Sequence, residues 1–186
     1  MTPARAGAPF WVLAVAFLAF VSTVSACGRT AAAQAPRCGS IERVALIAQS
    51  VPSSSYVPCI IDLPTGWRSG PLTVHTGRTS FSLLSDRSPG RPVQVDVAAT
   101  CTTGTATPIA PRTPGGRTYL ELQRIDPRYT GTMYDVFPGG CVIYRFDFER
   151  GAHIALMAQL QSTVGFVSRQ QLRRDLQAQL GIRLDP

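Results

Sequence analysis

From Phe10 to Cys27 the chain reads FWVLAVAFLAFVSTVSAC, an apolar run behind a short N-terminus whose only charged side chain is Arg5. Its strongly apolar part, Phe10 to Val21, has the length of a secretory signal. Even with Ser22 to Ala26 added, it stops short of the roughly 20 residues that cross a bilayer. The pattern predicts a cleaved export signal over residues 1–27, with a short membrane anchor as the alternative. Residues 28–37, GRTAAAQAPR, are small and polar and read as a tether. Residues 38–186 then carry helix and strand periods throughout and are expected to form a single globular domain.

Within that domain Ser40 reads as a helix N-cap, with Glu42 in the first turn and Ile41, Val44, Ala45, Ile47 and Ala48 at helical spacing. Pro52 and the serines 53–55 end that helix. Cys59, Ile60 and Ile61 form a short extended segment stopped by Pro64 and Gly66. Leu72 to Thr76 and Thr79 to Leu84 alternate as two strands joined at Gly77-Arg78. Val93, Val95, Val97, Ala99 and Cys101 share one face of a half-buried strand, with Gln94, Asp96 and Thr100 on the other. Residues 102–116, rich in Thr, Pro and Gly, read as an exposed loop. Tyr119 to Ile125 is another strand, after which Asp126-Pro127 and Pro138-Gly139-Gly140 bracket a second irregular stretch.

Cys141 to Glu149, CVIYRFDFE, is the clearest strand, with Val142, Tyr144, Phe146 and Phe148 opposite Ile143, Arg145, Asp147 and Glu149. Ala152 to about Val164 has helical period, with Ile154, Met157, Ala158 and Gln161 on one side and Leu156 and Leu160 beside them. Ser168 and Gln171 make a capping box, and Val167 and Leu172 can close a hydrophobic staple around it. Leu172, Leu176 and Leu180 then line one helix face, Gly181 stops the helix, and Ile182 and Leu184 dock the tail. Strands flanked by helices at both ends predict an α+β fold: an antiparallel sheet of about five strands, helices packed on one side, stapled by disulfides.

Cysteine usage sharpens the picture. Five cysteines leave one over in a secreted protein, and Cys27 is the natural exception. Val24, Ser25, Ala26 and Cys27 resemble the lipobox of bacterial lipoproteins, an aliphatic residue, two small residues and a cysteine. The resemblance implies that Cys27 receives a diacylglyceryl group and becomes the first mature residue, two acyl chains being enough for stable anchoring. Cys38, Cys59, Cys101 and Cys141 are then an even set in an oxidising compartment. Four cysteines allow three pairings, and spacing alone does not choose among them. Cys38 with Cys59 and Cys101 with Cys141 is the expected pairing, since each joins neighbouring elements across an irregular loop.

A further resemblance covers most of residues 38–186. It lies in Pro58-Cys59 leading to Gly66-Trp67, the strand reaching Cys101, Gly139-Gly140-Cys141 opening a strand of alternating aromatics, and the closing Ser168-Arg169 helix. Together these look like a group of secreted actinobacterial proteins of unassigned function, which implies a location and no mechanism.

The formal charge is +7, yet all 18 basic residues are arginine and asparagine is absent, the mark of a GC-rich bacterial genome. The arginines are dispersed, whereas nucleic-acid binders concentrate charge on one face, so no nucleic-acid partner is expected. An anionic membrane surface or envelope polymer suits the charge better.

Catalytic signals are sparse. Asp147 and Glu149 share a strand face about 7 Å apart, a spacing compatible with a glycosidase pair and equally with a solvated face that includes Arg145. His75 and His153 have no nucleophile beside them in sequence, and no G-x-S-x-G occurs. There is no C-x-x-C, so neither a zinc site nor a redox dithiol is expected, and no cofactor. Gly139-Gly140 lacks phosphate-loop spacing. Arg128, Tyr129, Tyr134 and Phe137 combine arginine with aromatics, a composition favoured at binding surfaces. The expectation is a non-enzymatic binding or accessory domain on the outer face of the cell membrane, its partner an envelope protein or anionic polymer. An envelope glycan hydrolase using Asp147 and Glu149, or a small-ligand carrier, is the alternative.

Overall fold

The computed structural model describes residues 33–90 and 93–184; residues 1–27, read above as an export signal ending at Cys27, lie outside the described residues. In chain order the elements are β1 (Ala33–Gln34), α1 (Ile41–Ser50), β2 (Tyr56–Ile60), β3 (Trp67–Ser69), β4 (Pro71–His75), β5 (Arg78–Ser85) and β6 (Val93–Ala98). They continue with β7 (Thr107–Ile109), β8 (Arg117–Arg124), β9 (Arg128–Phe137), β10 (Gly140–Glu149), α2 (His153–Thr163), β11 (Val164–Ser168) and α3 (Arg169–Leu180). The fold is α+β and mostly antiparallel sheet, with more strands than the five expected. The main sheet runs β1-β4-β5-β6-β10-β9-β8-β7, with β3 also paired to β5, and β11 pairs with β2 in a separate ribbon.

Strand β10 organises the sheet because its alternation is the strongest in the chain. Val142, Tyr144, Phe146 and Phe148 are buried, each worth about 1.5–3 kcal/mol of apolar transfer. Val93, Val95 and Val97 of β6 and Phe81 and Leu83 of β5 join them in one cluster. The same cluster takes in Val44 and Ile47 of α1, Leu156 and Leu160 of α2, Leu172 and Leu176 of α3, and Val57 and Ile60 of β2. One face of the main sheet therefore carries the core. Ser168 caps α3 by accepting from Gln171 N–H at 3.1 Å, and Gly181 closes that helix in the left-handed conformation.

Several expectations are corrected. The stretch 128–137 is not irregular: β9 is a ten-residue strand between β8 and β10. Gly131 and Asp135 break its apolar alternation for tertiary reasons. A Cβ at Gly131 would lie 2.5 Å from Glu121 O and 2.9 Å from Phe146 Cζ, and buried Asp135 has a partly buried arginine, Arg112, as its partner. The loop 102–116 contains β7, which pairs with β8. Residues 164–168 form β11 against β2, where the sequence showed only a helix end and a staple. The β4–β5 turn falls at Thr76-Gly77, one residue earlier than read, with Gly77 at φ 80°. Ser40 stands at the N-cap of α1 without a side-chain cap bond. Ile154 is 76% exposed, because α2 turns its Leu156, Leu160 and Thr163 stripe inward.

The connection from β6 to β7 passes three strands, β10, β9 and β8. It crosses the sheet face opposite the core, held at one end by the Cys101–Cys141 disulfide and further on by Thr105 Oγ1 donating to Glu121 Oε1 at 3.3 Å. Cys141 is fully buried yet outside the apolar cluster, as a residue beneath this strap should be. The second disulfide joins Cys38 to Cys59, so both bridges follow the expected pairing.

Candidate functional site

Asp147 and Glu149 project from the strap side of β10, and one guanidinium takes both. Arg128 Nε donates to Asp147 Oδ1 at 2.6 Å, and Arg128 Nη1 to Glu149 Oε1 at 2.7 Å. The hydrogen bond to Asp147 holds Arg128 above its ordinary pKa; burial opposes this and Glu149 adds to it. His75 ends β4, exposed, and pairs across the strand with Arg78. His153 stacks on Tyr129 at 4.5 Å between ring centroids, with its Nδ1 against Arg150 O.

The structure separates the four residues Arg128, Tyr129, Tyr134 and Phe137. Alternation along β9 sends Arg128 and Tyr134 to the strap side and Tyr129 and Phe137 to the core side. Phe137 is buried against Tyr56 and Phe166, with centroids at 5.6 and 5.9 Å. Tyr129 stacks on Phe146 at 5.7 Å. The four therefore form no common surface.

The strap side assembles a different arginine and tyrosine set. Cross-strand pairing lays Asp96, Ile143, Tyr134 and Tyr119 in one row across β6, β10, β9 and β8. At its end Asp96, expected on a solvated face, has a side chain only 3% exposed between two arginines that are 60% and 50% exposed, Arg78 and Arg145. Arg78 Nη2 meets Asp96 Oδ1 at 2.9 Å, and Arg145 Nη1 pairs with Oδ2. One carboxylate between two guanidinium groups leaves a net positive charge beside a tyrosine row. Sequence reasoning missed Arg78, Arg145 and Tyr119 as a group, since only strand register brings them together.

On the core side a second arginine is fully engaged. Arg112 donates to Asp135 Oδ2 at 2.8 Å and to Gln161 O at 2.7 Å, and lies over the rings of Tyr144 and Phe166 at 5.4 and 5.5 Å. Thr118 Oγ1 donates to Asp135 Oδ1 at 2.7 Å. Burial, reinforced by the Asp135 carboxylate, pushes the Tyr144 hydroxyl well above the ordinary tyrosine range, against the pull of Arg112. A cavity of about 350 Å³ opens beside Arg112 and Phe166. Through both terminal nitrogens Arg112 ties the 110–116 segment to the α2–β11 junction.

Among the described residues no group of three or more His, Cys, Asp or Glu side chains is placed to hold a metal ion. No helix among them is long and apolar enough to cross a membrane. No protein-family model, curated protein or solved structure matches this chain.

Proposed function

We propose that the folded region is a non-enzymatic binding module, held at the outer face of the cell membrane by a lipid on Cys27, whose strap-side sheet face engages an anionic envelope component. The observation that carries the binding reading is the face itself. Arg78 and Arg145 flank one buried carboxylate beside the Tyr119–Tyr134 row, an arrangement of half-exposed cations and aromatics without a converging pocket. The engagement of Asp147 and Glu149 by Arg128 supports a non-enzymatic role.

The membrane reading draws on the lipobox-like Val24-Ser25-Ala26-Cys27 and on cysteine parity. Both disulfides are made from the other four cysteines, which suits an oxidising compartment and leaves Cys27 for lipid.

Two experiments test these halves separately. Intact mass spectrometry of membrane-extracted protein should find a chain beginning at Cys27 with diacylglyceryl mass, and Cys27→Ser should release the domain; retention of residues 1–26 would refute the anchor. Cross-linking in membranes should capture an anionic envelope component with the wild type and lose it in the Arg78→Gln, Arg145→Gln double variant. An unchanged cross-link pattern in that variant would refute the binding face.

A further inference from the structure

The tail after α3 divides its two apolar residues. Leu184 is buried, as a docked tail requires, whereas Ile182 is 51% exposed. Ile182 lines a cavity of about 160 Å³ between α1 and α3, together with Leu46 and Leu180, which are 44% and 41% exposed. Leu176 and Leu184 line the same cavity and belong to the apolar core, so the three exposed side chains continue the core outward between the helices. A contiguous apolar patch left open marks a surface that another body covers.

Chain path and charge identify that body. The described chain starts at Ala33 in β1, and Gln34 Oε1 accepts from Arg43 Nη1 at 3.4 Å, so it starts against α1, one turn from Leu46. Only five residues separate Ala33 from Cys27, a reach of about 20 Å even when fully extended. Arg29 and Arg37 both precede the first acid of the chain, Glu42. Arg183 lines the apolar cavity and, with Arg173, borders a second one of about 330 Å³. The acids on the two helices are Glu42, at the apolar cavity, and Asp175, held by Gln171 at 2.7 Å; Asp185 lies outside the described residues. Arginines around an apolar patch, close to the anchored end of the chain, match an anionic lipid surface. Three apolar side chains are few for binding from solution, but an anchor makes their contact intramolecular and raises its effective concentration.

We propose that the outer surface of α1, α3 and the tail seats on the anionic headgroups of the bilayer, with Leu46, Leu180 and Ile182 entering the interface and Arg43, Arg173 and Arg183 meeting lipid phosphates. The inference rests on the lipid anchor at Cys27 and not on the strap-side face. Because α1 and α3 pack on the core side of the sheet, this seating turns the strap-side face away from the bilayer.

The test uses the full chain, purified from membranes and reconstituted into vesicles of phosphatidylcholine brominated near the top of its acyl chains, with and without phosphatidylglycerol. Ile182→Trp places a fluorophore in the patch, and the wild type, whose Trp67 is buried, supplies the background. Interfacial apolar faces enter about 5–10 Å, so brominated lipid should quench the added emission. Ile154→Trp, at an exposed position on α2, should stay unquenched. Adding Leu46→Gln and Leu180→Gln to the Ile182→Trp chain should abolish the quenching while the protein still floats with the vesicles, and omitting phosphatidylglycerol should weaken it. Flotation reads the anchor and quenching reads the face. A floating chain without quenching at position 182, whether the patch is bare or covered by a second copy, overturns the seating alone; a chain that does not float refutes the anchor and the seating with it. Equal quenching at 154 and 182, or quenching indifferent to phosphatidylglycerol or to the leucine replacements, also overturns the proposal.

Discussion

Asp135 sits 1% exposed at its side chain with Arg112 and Thr118 as its partners. Buried ion pairs contribute little net stability, but removing one partner strands a charge in a low-dielectric interior. Arg112→Met should therefore destabilise the domain by about 3–5 kcal/mol in urea unfolding, whereas Arg112→Met with Asp135→Asn should recover most of the loss. Tyr144 makes a separate prediction through pH. Burial first, then Asp135, raises its folded pKa above the unfolded value near 10, so the unfolded chain ionises first as pH rises. Its contribution is complete below about pH 10 and is lost as pH climbs toward the folded pKa. Tyr144→Phe should flatten the alkaline fall in unfolding free energy measured between about pH 9 and 11. The sequence marked Tyr144 as core from its alternation with Phe146 and Phe148. Nothing in the sequence marked Arg112 or Asp135, because each lies in a segment whose local pattern reads as loop and whose partner is distant in the chain.

Among the elements, the strap from β6 to β7 depends most on covalent help. It closes a 40-residue separation at Cys101–Cys141 and otherwise rests on a few polar contacts such as Thr105 with Glu121. Replacing both cysteines with alanine should cost about 2–4 kcal/mol and open new proteolytic cuts within residues 102–106, read by limited digestion and mass mapping. Protection equal to wild type would show that the strap packs on its own. Elements whose signal is local were legible: β10 by alternation, α3 by its cap and its Leu172-Leu176 stripe, β6 by its valines. β9 was not, since Gly131 answers to a backbone oxygen of β8 and Asp135 to an arginine from another segment. β11 was hidden for a related reason. Its five residues gain strand geometry only from pairing with β2, more than a hundred positions earlier.

For the molecule as a whole, the strap-side face carries two charge clusters, Arg78 and Arg145 around Asp96 and, farther along β10, Asp147 and Glu149 around Arg128. Asp147→Ala with Glu149→Ala should leave envelope turnover unaffected and lower the thermal midpoint, since the Arg128 side chain is only 15% exposed and loses both of these carboxylates. Loss of turnover with the fold intact would replace the binding reading with a hydrolase. Amino-acid order by itself determined the apolar run ending at Cys27, the α+β class, the caps of α3 and the core face of β10, all of which follow from neighbours within a few residues. It also narrowed the disulfides to three pairings. Tertiary structure decided what depends on register between distant strands. It set β9 between β10 and β8, gathered Arg78, Arg145 and Asp96 on one face, dispersed Arg128, Tyr129, Tyr134 and Phe137 to two, and brought the serine turn against the start of α3. Side chains on paired strands share a face only once the pairing exists, and no local period in the chain encodes which strands will meet.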